Sequence, residues 1–119
     1  MSVTVLKLGG ELIETPSSRA HMAAMIAALA SRSQLIVVHG GGKAIDAELA
    51  RRGIAPKKVD GLRITDADTL DAVVAVLAGS ANTALVASLV ASNINAVGLT
   101  GVDAGCGRAI HAARPGNSD

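Results

Sequence analysis

The sequence predicts an α/β fold built on a parallel sheet, and three observations carry that prediction. Twice the chain runs through an apolar stretch, then glycines, then residues at helical spacing: Val3 to Leu8 with Gly9-Gly10, and Leu35 to Val38 with His39-Gly40-Gly41-Gly42. Strand, glycine loop and helix in succession is the sequence form of a βαβ unit, whose crossover makes neighbouring strands parallel. The third observation is compositional. Half of the 119 residues are hydrophobic, yet Phe, Trp and Tyr are absent, so the core must be Ala, Val, Leu and Ile at close spacing, which suits helices laid over a sheet.

In chain order, Val3 to Leu8 reads as the first strand, with Lys7 one residue before the end and the glycines just beyond. Alone, Lys7 is a solvated strand-end lysine; beside a loop of exposed backbone donors it becomes a catalytic candidate. Thr15 fits an N-cap with Pro16 at the first helical position, and Met22, Met25, Ile26 and Leu29 follow at i, i+3, i+4 and i+7, a helix to about Ser31. Leu35, Ile36, Val37 and Val38 show no polar alternation, which predicts a strand buried on both faces. After it the glycines allow a sharp turn, and their N–H groups, with the positive end of the next helix dipole behind them, form a site for a phosphate or carboxylate.

That next helix spans Lys43 to Arg52, with Ile45 and Leu49 on one face and Gly53 as its C′ residue. Ile54-Ala55-Pro56 breaks it, and residues 57–64 form a short hairpin around Asp60-Gly61, with Arg63 on the second arm. Thr65 then caps a helix whose stripe is Leu70, Val73, Val74 and Leu77. Gly79 interrupts, a further helix uses Leu85, Val86, Leu89 and Val90, and residues 93–95 turn the chain into a third strand at 96–99. Thr100 to Asp103 is a loop at that strand's end, and the polar residues 112–119 read as a disordered tail.

Several function classes fall away. A net charge of +1, with Arg51-Arg52 and Lys57-Lys58 as isolated basic pairs, gives no electrostatic case for nucleic acid. The single cysteine, Cys106, excludes an internal disulfide and reads as a small packed residue. Lys7 cuts the apolar N-terminus too early for a signal-peptide core, so the cytoplasm is expected. No charge stands between Asp71 and Asp103, which raises a membrane span near 72–90; Gly79, Ser80, Asn82 and Thr83 at its centre favour two buried helices of a soluble protein instead. A Walker loop is absent, since Ala44 stands where Lys43 would need a hydroxyl after it. Ile45 takes the place of the third glycine of a dinucleotide fingerprint, and no G-x-S-x-G elbow accompanies the HGGG run.

Lys7-Leu8-Gly9-Gly10, Val38-His39-Gly40-Gly41-Gly42, Asp60-Gly61-Leu62-Arg63-Ile64-Thr65, Leu77-Ala78-Gly79 with Asn82, and Val97-Gly98-Leu99-Thr100-Gly101 together resemble the N-terminal half of the acetylglutamate kinases, within the amino acid kinase family. The resemblance implies a parallel-sheet αβα sandwich, incomplete, with residues 1–111 as its substrate-binding half. It implies transfer of the γ-phosphoryl of ATP, carried with Mg2+ as co-substrate, to the side-chain carboxylate of N-acetyl-L-glutamate in arginine biosynthesis, with no protein-ligated metal.

By the same resemblance Lys7 and Gly10 are catalytic, Gly41 and Gly42 bind acetylglutamate, and Arg63 grips its α-carboxylate from a hairpin that acts as a lid. A homodimer through the 66–78 helix is also implied. The family's nucleotide-binding half, with its second lysine and orienting aspartate, has no counterpart here, so the chain is expected to be a fragment without turnover. A non-catalytic acetylglutamate-binding or regulatory module is the alternative.

Overall fold

The computed structural model describes residues 2–112. Strand β1 (Val3–Leu8) leads through a 3-10 turn, Gly10–Ile13, to helix α1 (Pro16–Ala30), strand β2 (Gln34–His39) and helix α2 (Gly42–Arg51). A hairpin of β3 (Lys58–Val59) and β4 (Leu62–Arg63) follows, then helices α3 (Ala67–Val74) and α4 (Ala81–Ala91). β1 and β2 pair in parallel, from Val3 opposite Gln34 to Leu8 opposite His39, and β3 pairs antiparallel with β4. This is an α/β domain of the expected class, but its main sheet has two strands among the described residues rather than three.

Local chemistry explains most boundaries. Thr15 accepts a hydrogen bond from the Ser18 N–H while the Ser18 hydroxyl takes the Thr15 N–H, a reciprocal cap that starts α1 at Pro16. Gly53 ends α2 with φ of 71°, where a side chain would be strained, and the Ile54 N–H reaches back to the Leu49 carbonyl at 2.8 Å. Asp60 and Gly61 both take positive φ, 51° and 76°, the turn that matches strand twist in a two-residue hairpin.

Two clusters form the core. Leu8, Ile13, Ala23, Ile26, Leu85 and Leu89 pack one face of the sheet against α1 and α4, with Leu6, Leu35 and Val37 joining them. Ile45, Leu49, Ala72 and Val76 join α2 to α3.

Several expectations need correction. β2 is buried on one face only: Leu35 and Val37 turn inward, while Ile36 and Val38 lie on an exposed face with Val3 and Val5. Asp66, not Thr65, caps α3, its carboxylate accepting the Thr69 N–H at 3.0 Å. The buried stripe there is Thr69, Ala72 and Val76, while Leu70 and Val74 are exposed. In α1 the inward residues are Ala23 and Ile26, and Met25 and Leu29 face outward.

Gly79 does not break the helix. A π turn, Ala75–Ser80, carries α3 into α4 as one 25-residue helix, Ala67–Ala91, long and apolar enough to cross a membrane by length and composition; instead of two buried helices it is one, with only 17% of its 18-residue apolar stretch buried. Loosening the turn by one residue absorbs the small side chains without unwinding the backbone. Residues 96–99 pair with no strand and expose Val97 and Leu99, and Cys106 is exposed rather than packed. Of the expected tail, 113–119 lie outside the described residues.

Candidate functional site

Parallel pairing brings the carboxyl ends of β1 and β2 together, and with them the two glycine loops. The Gly40 N–H donates to the Leu8 carbonyl at 3.1 Å, extending the ladder by one step. Gly10 then lies against Gly41 so closely that a Cβ on Gly10 would stand 2.8 Å from the Gly41 Cα. A Cβ on Gly41 would meet the Leu77 side chain at 3.0 Å, so the π turn supports the loop from beneath. Lys7 is exposed; its Nζ donates to the Leu8 carbonyl at 3.2 Å and lies 3.6 Å from where a Gly40 Cβ would be. α2 begins at Gly42 with no side-chain cap and no acidic residue in its first turn, which leaves its N–H groups and dipole available to an anion.

Arg63 reaches the same loop from the hairpin. Its Nη2 lies 3.5 Å from the Gly42 carbonyl and 2.6 Å from Oδ1 of Asp46, on the first turns of α2; the latter is a charge contact angled away from a directional hydrogen bond. Lys58 on β3 approaches the other oxygen of Asp46 at 3.4 Å. The Arg63 guanidinium beside Asp46, helped by Lys58, holds its carboxyl below the usual carboxylate range against a smaller opposing effect of burial. Nη1 of Arg63 is enclosed and has no partner. Thus Lys7, Gly10, Gly41, Gly42 and Arg63 all border one loop, 40–42.

Beside that loop a cleft of about 390 Å³ takes in Gly10 and Gly41, but not Lys7, Gly42 or Arg63. Its wall contains Arg19, which the sequence did not single out. Arg19 Nη1 donates to the carbonyls of Ile13 and Glu14 at 2.9 and 3.0 Å, closing the end of the turn that follows the first glycines. A lone arginine in the first turns of a helix looks like a solvated residue, and the carbonyls it serves carry no sequence mark. Asp46 was missed for a similar reason, because its partner lies 17 residues further on in the hairpin. Among the described residues no cluster of three or more His, Cys, Asp or Glu is placed to hold a metal ion.

The sequence matches the model of the amino acid kinase family over residues 2–117. It is 47% identical over 100 residues to the acetylglutamate kinase of Solibacter usitatus, covering 83% of this chain and 39% of that protein. The acetylglutamate kinase of Methanopyrus kandleri is 42% identical over 101 residues, covering 85% and 37%. The chain therefore spans about two fifths of the length of these relatives. Among solved structures it resembles smu.665 of Streptococcus mutans, with a TM-score of 0.72 and 27% identity over 82% of this chain and 40% of that one. It also resembles the N-acetylglutamate synthase of Neisseria gonorrhoeae, solved with coenzyme A and N-acetyl-glutamate, with a TM-score of 0.66 and 28% identity over 80% and 22%. Strand order, paired glycine loops and the match along nearly the whole sequence agree: the chain belongs to the amino acid kinase family.

Proposed function

We propose that this chain carries the acetylglutamate-binding side of a kinase that moves the γ-phosphoryl of ATP to the side-chain carboxylate of N-acetyl-L-glutamate, a step of arginine biosynthesis. One observation supports this above the rest: a lysine, an arginine and the uncapped start of α2 converge on loop 40–42. In the reaction a carboxylate oxygen bonds to the γ-phosphorus as the bond to the bridging oxygen breaks, and the electron pair leaves on ADP. The carboxylate is already ionised at neutral pH, so no base has to remove a proton. Such a step needs cations and N–H donors around the phosphoryl oxygens, and these are the groups the loops offer.

In this reading Lys7 neutralises the phosphoryl group in flight and the Gly10 N–H donates to it. Gly41 and Gly42 hold the acetylglutamate, and Arg63 takes its α-carboxylate with two parallel hydrogen bonds that lysine would not make. Mg2+ arrives with ATP as part of the co-substrate. The same reading makes the protein soluble and cytoplasmic: Ala72, Val76, Leu85 and Leu89 of the long apolar helix pack against the rest of the chain. Extraction with alkaline carbonate should release it from membranes, and retention in the pellet would end that part of the reading.

Calorimetric titration with N-acetyl-L-glutamate tests the binding assignment. Arg63→Ala removes a charge-assisted pair worth about 1.5–3 kcal/mol and should weaken binding by roughly tenfold or more. A wild type that binds no acetylglutamate, or an Arg63→Ala variant that binds it equally well, overturns the proposal.

A further inference from the structure

The hairpin that carries Arg63 has little apolar hold on the molecule. Val59 and Leu62 are about half exposed, and Lys57 to Leu62 all lie on the surface. What ties it down is charge, and most of that converges on one carboxylate: Arg63 from β4 at 2.6 Å and Lys58 from β3 at 3.4 Å both address Asp46, with Lys57 reaching Asp66 at 3.8 Å. Two cations thus share one anion at Asp46. The cluster is one negative charge short, and both Nη1 of Arg63, on a side chain only 14% exposed, and Oδ1 of Asp46 are enclosed without a hydrogen-bond partner.

We propose that Asp46 is a positioning residue for the carboxylate site: by pairing with Nη2 of Arg63 it keeps the guanidinium beside the Gly42 carbonyl, where the ligand's carboxylate would meet it. This rests on the reading of Arg63 given above and adds to it the group that keeps the arginine in place. The contact acts by charge and holds the guanidinium at the loop, so losing the carboxylate frees the arginine to leave it. Asp46 remains in place when the ligand binds, and the incoming carboxylate completes a cluster of two cations and two anions.

The test has two readouts on the 119-residue chain. In the absence of ligand, the Arg63 side-chain N–H signal in NMR spectra reports whether the guanidinium is held. Asp46→Asn should speed its exchange with water, and Asp46→Glu should restore part of the protection. With N-acetyl-L-glutamate as titrant, Asp46→Asn should weaken binding by about tenfold at a temperature where it remains folded, with partial rescue in Asp46→Glu. Tighter binding by Asp46→Asn overturns the proposal, since Asp46 would then occupy the place of the ligand's carboxylate. An Arg63 signal indifferent to Asp46 overturns it as well, whether or not acetylglutamate binds. If the wild type binds no acetylglutamate, the functional reading fails, and the Arg63 signal alone decides the role of Asp46.

Discussion

Gly10 and Gly41 touch backbone to backbone: a Cβ on Gly10 would lie 2.8 Å from the Gly41 Cα and 2.9 Å from its nitrogen. Neither neighbour is a flexible side chain that could move aside, so Gly10→Ala must part the two loops. The expected cost is about 1–3 kcal/mol of stability, together with loss of acetylglutamate binding. Gly42 is the useful contrast, because nothing lies within 4 Å of a Cβ there and the residue is helical. Gly42→Ala should raise stability by roughly 0.5–1 kcal/mol while weakening binding through crowding of the ligand. Urea unfolding and titration on both variants would show whether the two glycines separate in this way; equal stability losses would contradict it.

Those glycines were legible in the sequence because each follows a strand and each permits close approach. The hairpin was legible from Asp60-Gly61, and α2 from Ile45, Leu49 and Gly53, since caps and turns are local chemistry. Faces were less so. An all-apolar stretch such as 72–77 leaves the inward direction undetermined by pattern, and packing selected Ala72 and Val76 over Leu70 and Val74 because α2 offers Ile45 and Leu49 there. The alternation of β2 was hidden for the same reason, its outward residues Ile36 and Val38 being as apolar as its inward ones. The pairing of Asp46 with Arg63 is long-range, and no local signal announces it.

Acid should loosen the end of α2. Glu48 receives Arg51 at 2.8 Å and Arg52 at 2.7 Å, and these hydrogen bonds hold its pKa down at about 2, below the ordinary 4.5. A depressed carboxylate stabilises the fold fully above its unfolded pKa and loses that contribution as pH falls through the folded value. The unfolding midpoint should therefore decline between pH of about 4.5 and 2, and Glu48→Gln should flatten part of that decline. Asp46, Asp66 and Asp103 are shifted in the same direction, so the slope is reduced, not abolished. An identical acid profile in Glu48→Gln would show that the triad contributes nothing.

If copies of this chain pair through the 66–78 helix, the contact must use the residues that helix leaves outside. Leu70 and Val74 are one turn apart and 50% and 53% exposed, whereas Val76 is 4% exposed within the core. Val74→Glu should shift sedimentation from dimer towards monomer with the fold intact, while Val76→Glu should unfold the chain by burying an unpaired charge. A monomeric wild type at micromolar concentration removes the proposal.

The last expectation concerns turnover. Val3, Val5, Ile36 and Val38 share one face of the β1–β2 pair and are 44–64% exposed, and Lys7 stands on that same face at the end of β1. Parallel sheets are ordinarily covered on both sides, and each strand here has one edge unpaired among the described residues. The face that carries the catalytic candidate is thus bare, with no wall among the described residues to hold a nucleotide in line with a ligand at Gly41 and Arg63. Positioning supplies much of the rate of a phosphoryl transfer, so the 119-residue chain with ATP, magnesium and acetylglutamate should form no acyl phosphate detectable as hydroxamate. Fusion to the remaining part of the Solibacter usitatus relative should cover the face, lower the fluorescence of a bound hydrophobic dye and bring turnover. In that fusion Lys7→Ala should cut kcat by about 10²–10³ with little change in the KM for acetylglutamate, because its interaction is confined to the transition state. Sustained turnover by the chain alone, abolished by Lys7→Ala, would show instead that the bare face already contains a sufficient nucleotide site.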